Sequence, residues 1–292
     1  MTALTRTTAA TGRRRHRGST PHGVGRGTGW WRTVTGVIIL AVMLFPVYWM
    51  INVSLQRGGP AIATPWVPTD ISLDGYATAL RDQGSNLVTS LVIGLGSVVF
   101  SLLLAAPAAY ALARFKIRGA EVLLLGILIS QMIPGIVVAN ALFGFYASLG
   151  LLDSIPGLIL ADSTGGVPLA ILILRAFMGS LPGEILEAAW VDGAGHIRTF
   201  VSIVLPMSRN ALITSALFVF LISWGDFLFA LTLTTSPEVR PVTLGLFLYI
   251  GGDRLDWSPA MATAVLASLP ALVLLVLAQK YVAAGVTKGA VK

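Results

Sequence analysis

Long apolar segments alternate with shorter polar ones along the chain. Six of the apolar segments are long enough for a transmembrane helix, which needs about 20 mostly apolar residues. They span approximately residues 34–54, 86–113, 121–149, 155–177, 210–233 and 258–280. The pattern predicts an all-α membrane protein with six spans.

Two of these segments contain residues that interrupt helices. The third holds Pro134 and Gly135, so we expect it to tilt or to break midway. The fourth holds Asp162, Gly165, Gly166 and Pro168 within seven residues. We expect a break there at membrane depth, which is tolerated only where the backbone packs against protein or lines a wet cavity.

A polar stretch, residues 181–206, lies between the fourth and fifth segments. It is too polar to cross a bilayer and too regularly patterned for a slack linker. Pro182 predicts the start of a helix, and Glu184 and Glu187 are placed to favour its positive N-terminal end. The stretch therefore has the form of a docking element on one side of the membrane.

The second half of this stretch predicts a turn and another helix. Asp192, Gly193 and Gly195 are typical turn residues. The apolar residues that follow recur at helical intervals and are expected to form one stripe, and Pro206 is expected to end this helix. The stripe comprises Ile197, Phe200, Val201, Val204 and Leu205.

Composition supports a membrane protein and excludes several kinds of site. Of the 292 residues, 55% are hydrophobic and 11% are charged, and the mean hydropathy is +0.82. The chain has no cysteine, which excludes disulfides and thiolate metal sites. Its histidines, His16, His22 and His196, lie outside the apolar segments, which excludes most transition-metal sites within the membrane.

The distribution of basic residues predicts the orientation. Six spans place both termini on one side, and that side carries sixteen of the 20 Lys and Arg residues. By the positive-inside rule both termini and residues 181–206 are cytoplasmic. The net charge of +7 therefore reflects topology rather than nucleic-acid binding. Residues 1–32 are predicted to be a disordered basic tail against anionic lipid.

The chain lacks a phosphate-binding loop, because none of its four lysines occurs in a GxxxxGK[ST] pattern. Acids at membrane depth are functional hypotheses by default, which singles out Asp162 and Asp226. Two other classes use such acids: a secondary transporter driven by ions, and an intramembrane aspartyl hydrolase. The hydrolase requires the two carboxyl groups to meet, and nothing in the sequence requires that.

The residues Glu187-Ala188-Ala189, Asp192-Gly193-Ala194 and Ile203-Val204-Leu205-Pro206 resemble the EAA loop of ABC importer permeases. Six further stretches resemble the carbohydrate-type, or maltose-type, branch of these permeases. They are AAYALARFKIRGAE, Gln131-Met132-Ile133-Pro134, LGLLDSIPGLIL, SWGDFLFALTL, DWSPAMATAVLASLPALVLLVLAQKYV and the final GVTKGAVK. The resemblance extends from about residue 35 to the C-terminus.

The resemblance implies a six-span permease domain over residues 33–284, with tails at 1–32 and 285–292. It also implies the bacterial cytoplasmic membrane as the location and a sugar importer as the assembly. The expected partners are a second permease, two ATPase subunits that bind ATP and Mg, and an extracytoplasmic sugar-binding protein. No cofactor or metal is expected on this chain, and no covalent chemistry.

Two sets of site residues follow from the resemblance. In such permeases the EAA helices couple to the ATPase, and Glu187 would meet a basic group there. Small residues would allow close approach, and Asp192 would help to fix the turn. The coupling set is Glu184, Glu187, Ala188, Ala189, Asp192, Gly193, Gly195 and Pro206. The candidate pathway set is Asp226, Trp224, Gly225, Asp162, Asn140 and Gln131.

The pathway set has alternatives. Asp226 also suits a solvated acid or the cap of a helix in a partner chain. Trp224, Asn140 and Gln131 also suit packing against the partner permease. The family usually has Trp-Asn-Glu where this chain has Trp224-Gly225-Asp226, so the acid here is shorter and an amide is missing.

Overall fold

The chain is mainly helical over the residues that the computed structural model describes, 29–57, 65–250 and 257–290. Within those ranges the only β feature is an isolated bridge between Gln56 and Ile71. The all-α prediction is therefore confirmed for them, while most of the predicted basic tail lies outside the described residues. The chain divides into two compact units, residues 1–46 and 47–292, and all packing discussed below lies within the second.

Twelve α-helices are described in these ranges, together with a π-helical turn at Phe200–Val204 and a 3₁₀ turn at Pro237–Val239. The α-helices are α1 (Gly29–Ser54), α2 (Asp74–Arg114), α3 (Ala120–Ser130), α4 (Gly135–Leu149), α5 (Ile155–Gly179), α6 (Gly183–Val191), α7 (His196–Thr199), α8 (Leu205–Met207), α9 (Arg209–Trp224), α10 (Leu228–Leu233), α11 (Val242–Ile250) and α12 (Trp257–Ala290).

In the described part of the chain, four helices are long and apolar enough to cross a membrane: α1, α2, α5 and α12. Two bent pairs raise the number to six if each pair counts as one span. They are α3 with α4, at 95°, and residues 196–207 with α9, at 77°. The expected break in the third predicted span is confirmed at residues 131–134, where Pro134 precedes α4.

The second predicted span, 86–113, starts too late, because α2 begins at Asp74. Its 41 residues correspond to about 60 Å, roughly twice the thickness of the hydrocarbon core. The polar residues of its first turns fold as helix because they are buried against protein. Gln83 and Asn86 are both 6% exposed, and the Asn86 amide donates to Gln83 Oε1 at 2.6 Å.

These turns pack against α11, a helix that lies between the fifth and sixth predicted spans, where no span is predicted. Gly245 of α11 lies directly on Gln83 and Asn86, since a Cβ at Gly245 would overlap both side chains. The Val242 amide also donates to Ser90 Oγ at 2.8 Å. The contact with α11 therefore accounts for the burial of these polar side chains in the first part of α2.

The predicted break in the fourth span is wrong: α5 is continuous from Ile155 to Gly179. Pro168 removes one N–H from the helix, but the glycines before it serve packing rather than a break. A Cβ on Gly166 would lie 2.7 Å from Ser101 Oγ and 3.0 Å from Val219 Cγ1. Gly166 therefore marks the close approach of α5 to α2 and α9.

The fifth predicted span, 210–233, is interrupted. Helix α9 ends at Trp224, and α10 begins only at Leu228. The three residues between them include Gly225 and Asp226. Two of the predicted pathway residues therefore lie in a helix break, whereas the sequence pattern predicts a break in the fourth span.

Asp153 joins the α4–α5 loop to the segment that follows α10. Its carboxylate Oδ1 accepts hydrogen bonds from the Thr235 and Ser236 amides, both at 2.9 Å. Its own amide donates to the Leu233 carbonyl at 2.8 Å. The two amide donors lower the pKa of the Asp153 carboxyl below its usual value, because they favour the charged form.

We predict that this contact makes stability depend on pH. A carboxyl whose pKa is depressed by folding stabilises the protein above its unfolded pKa and loses that contribution as the pH falls through its folded pKa. The stability advantage of the parent over Asp153→Asn should therefore shrink below about pH 5. Asn tolerates the positive φ of 54° at this position.

The measurement is the free energy of unfolding in detergent as a function of pH. Glu238→Gln, which removes a negative charge from the segment after α10 that Asp153 contacts, is the control. A difference between parent and Asp153→Asn that stays constant from neutral to acidic pH would contradict the prediction.

Candidate functional site

Residues 181–206 form the predicted helix–turn–helix. Pro182 precedes the first residue of α6, and Glu184 lies in the first turn of that helix. The start of the first helix is therefore confirmed. Glu184, Glu187 and Ala188 are exposed, and no described residue forms an ion pair with either acid.

The turn after α6 is closed by backbone hydrogen bonds. The Ala194 amide donates to the Ala189 carbonyl at 2.9 Å, and the Gly193 amide donates to the Trp190 carbonyl at 3.0 Å. This is the Schellman arrangement, which needs a left-handed residue, and Gly193 supplies it with φ +83°. The Asp192 carboxylate makes no hydrogen bond to a described residue, so the turn does not depend on it.

The second helix differs from its prediction in two respects. Its apolar residues do not form one stripe, because Val204 is buried and Phe200 packs against the core while Ile197 and Val201 are exposed. The π-helical turn at Phe200–Val204 changes the angular spacing of these positions. The helix also continues past Pro206 and bends only at Ser208, before α9.

The two faces of this element have different environments. On the inner face, Leu186 is 3% exposed and belongs to the core cluster of α2, α5 and α9. Ala189 is 7% exposed, so this small residue contacts its own chain rather than an open surface. On the outer face, Val191 and Ile197 are 87% and 81% exposed. Two bulky apolar side chains thus project from the turn next to Glu187 and Ala188.

A row of aromatic rings joins the element to the end of α2. Trp190 contacts His196, and His196 contacts Phe115, each with ring centroids 5.3 Å apart. Phe115 then contacts Tyr110 at 5.6 Å, and Tyr110 stacks on Phe200 at 5.1 Å. We call these five residues the aromatic row. Sequence reasoning missed this row, because its members are up to 90 positions apart.

A second attachment point lies beside the row. Arg114, in the last turn of α2, donates from its guanidinium to the Leu181 carbonyl, directly before α6. The C-terminal end of α2 therefore holds both ends of α6, through Leu181 and through Trp190.

The intramembrane acids lie close together. Asp162 and Asp226 line one cavity of about 10 Å³, which the sequence did not require. The Asp162 carboxylate accepts a hydrogen bond from Ser223 of α9, and Ser223 Oγ lies 3.3 Å from Ser97 Oγ of α2. Asp162 is only 4% exposed, so it does not face an open pathway within this chain.

Asp226 caps a helix, but the helix belongs to its own chain. Its carboxylate accepts hydrogen bonds from the Phe229 and Ala230 amides at 3.3 and 3.1 Å, at the start of α10. An acid at this end of a helix compensates amides that have no partner within the helix. Asp226 is half-buried. Its carboxylate is hydrogen-bonded to the protein rather than fully solvated.

The other candidate pathway residues differ in exposure. Trp224 is 8% exposed, stacks on Phe220 and donates to the Ala267 carbonyl at 3.0 Å, so it packs within this chain. Gly225 ends α9. Gln131 and Asn140 are exposed, and the Gln131 amide reaches the Gly165 carbonyl at 3.4 Å.

Known proteins resemble the chain over most of its length. Residues 97–288 match the family described as binding-protein-dependent transport system inner membrane component. A trehalose/maltose transport system permease protein of Thermococcus litoralis is 32% identical, over 89% of this chain and 95% of that protein. The trehalose transport system permease protein of Mycobacterium tuberculosis is also 32% identical, over 92% of this chain and 99% of that protein.

Another relative is the diacetylchitobiose uptake system permease protein of Streptomyces coelicolor, 31% identical over 90% of this chain and 96% of that protein. Among solved structures, a bacterial ABC transporter involved in the import of the acidic polysaccharide alginate has a TM-score of 0.76. It is 23% identical and covers 90% of this chain and 99% of its own. This similarity supports the fold.

We predict that Gly193 is required for the turn and that Gly195 is not. Gly193→Ala places a Cβ on a left-handed residue, at a cost of about 1–2 kcal/mol. Hydrogen–deuterium exchange at the Gly193 and Ala194 amides should then accelerate by about 5–30-fold. Gly195 has φ −67° and open space where an added methyl group would lie, so Gly195→Ala should leave exchange unchanged. Equal acceleration in both variants would contradict the prediction.

Proposed function

The chain belongs to the family of binding-protein-dependent transport system inner membrane components, and we propose that it is the transmembrane permease subunit of an ATP-driven sugar importer. The names of its relatives support a sugar as the transported molecule, since they include permeases named for trehalose, maltose and diacetylchitobiose. We propose a mono- or oligosaccharide of this class as the transported molecule.

We infer that residues 181–206 dock in a groove on a separate ATPase subunit. The observation that carries this proposal is the exposure of Val191 and Ile197 at the turn, beside the exposed Glu187. Exposed bulky apolar side chains flanked by charge are typical of a surface that another protein covers. Glu187 would pair with a basic group of the ATPase, and the exposed Ala188 would permit close approach.

The same proposal gives the inner face a mechanical role. Movement of α6 on ATP-driven closure of the ATPases would reach α2 through the aromatic row and through the Arg114–Leu181 contact. Because α2 packs on α5, α9 and α12, its displacement would move the helices of the core together. ATP and Mg would be bound by the ATPase subunits, and this chain would not catalyse hydrolysis.

The rest of the assembly follows from what this chain leaves exposed. We propose that a second permease completes the translocation pathway, with Gln131 and Asn140 on the surface it shares with this chain. An extracytoplasmic sugar-binding protein would dock on the opposite side from residues 181–206. Both termini and residues 181–206 would lie in the cytoplasm, as the distribution of Lys and Arg indicates.

We predict that Glu187→Lys detaches the ATPase. Reversal of a charge that pairs across an interface costs about 2–5 kcal/mol, so affinity for the ATPase should fall by about 30-fold or more. Co-purification of the ATPase with the permease measures the loss, and uptake of labelled sugar into vesicles should stop. Glu121→Lys makes the same change of charge in the first turn of α3 and should retain the ATPase. Normal ATPase binding and uptake by Glu187→Lys would overturn the proposed docking.

We predict that Phe115→Ala uncouples hydrolysis from transport. The substitution removes the ring that joins Tyr110 to His196 and leaves the outer docking face unchanged. The ATPase should stay bound and hydrolyse ATP, while the number of ATP molecules consumed per sugar rises severalfold. Phe115→Tyr retains the ring and should keep the parental ratio. An unchanged ratio in Phe115→Ala would show that the aromatic row does not transmit the movement.

A further inference from the structure

The small cavity beside the α9–α10 break holds more negative charge than its surroundings compensate. Asp162 of α5 and Asp226 both line it, together with Ser90 and Ser223. At about 10 Å³ it has room for a single water-sized particle. Its polar lining consists of oxygen atoms from α2, α5, α9 and the α9–α10 break.

The two carboxylates are compensated unequally. Asp226 accepts two backbone amides at the start of α10. Asp162 has one hydroxyl donor, Ser223, at Oδ2, whereas its Oδ1 is buried and has no hydrogen-bond partner among the described residues. Neither acid forms an ion pair with a described Lys, Arg or His. The remaining titratable side chain in this region is Tyr146, which packs with Leu158 and Ala161.

We propose that this cavity binds one monovalent cation, either Na⁺ or a proton, between Asp162 Oδ1 and Asp226. A buried carboxylate without a counter-charge is so costly that it is paired, coordinates a metal ion or takes up a proton. Mg²⁺ fits poorly, because it usually keeps several waters and the cavity holds one particle. Ca²⁺ fits poorly, because it takes six to eight oxygen ligands and three of the four carboxylate oxygens here already accept hydrogen bonds. The carboxylate and hydroxyl oxygens of the site suit a hard cation.

The position of the site gives the cation a structural consequence. Asp162 lies about two turns into α5, and Asp226 lies where the chain leaves α9 for α10. A cation between them links α5 to the α9–α10 break, next to the Ser223–Asp162 hydrogen bond that already joins α5 to α9. The site does not depend on the proposed transport function, and neither measurement below involves transport.

The first experiment tests Na⁺ as the cation. Thermal unfolding of the purified full chain in detergent is compared in NaCl, KCl and choline chloride at equal ionic strength. If Na⁺ binds, NaCl raises the unfolding midpoint by about 2–4 °C. The increase is lost in Asp162→Asn and Asp226→Asn, and is kept in Asp153→Asn, a control acid outside the cavity.

The second experiment tests the proton. Infrared spectra of the parent protein at neutral pH should contain the carbonyl stretching band of a neutral carboxylic acid, and Asp162→Asn or Asp226→Asn should remove it. Asp153→Asn should leave the band unchanged. Both parental measurements stand without the variants, should a variant fail to fold. If the parent shows neither stabilisation specific to Na⁺ nor a neutral-acid band, the cavity holds water only and the proposal is wrong.

Discussion

The structure depends on the close approach of α2, α5 and α9 at positions without side chains. A Cβ on Gly96 would lie 2.5 Å from Ile159, and one on Gly94 would lie 2.9 Å from Phe220. Gly166 makes the equivalent approach from α5. Lipid tails are as apolar as the helices, so association within a bilayer rests on van der Waals packing and hydrogen bonds between helices rather than on the hydrophobic effect. Small residues at the helix contacts allow both close packing and hydrogen bonds between the helices.

That packing also accounts for the polar interior. Ser97 and Ser223 are almost fully buried and meet where α2 crosses α9, next to the Asp162 carboxylate. The two acids are tolerated at this depth because the Ser223 hydroxyl group and the α10 amides donate hydrogen bonds to their carboxylates. The uncompensated oxygen of Asp162 then becomes the feature that a cation would satisfy. The cluster is thus a property of three helices, and no single segment contains it.

Residues 181–206 connect this interior to a surface. Leu186 anchors α6 in the same core that contains Tyr110 of α2, while Val191 and Ile197 project from the turn. A rigid element with one face in the core and the other unburied is suited to receive force from a partner. The aromatic row and Arg114 direct that force to α2, whose contacts reach α5, α9 and α12.

The sequence alone determined the class of the protein and the local features that single residues impose. Apolar length predicted a helical membrane protein, Pro134 predicted the break between α3 and α4, and Gly193 predicted the turn, because each depends on the chemistry of a short segment. Tertiary structure decided whether a polar or helix-breaking residue is tolerated. Gln83 continues α2 and Gly166 continues α5 since a neighbouring helix packs against each. Asp162 and Asp226, 64 positions apart, share a cavity only because α5 and α9 cross there, and a distance of that kind has no local signal.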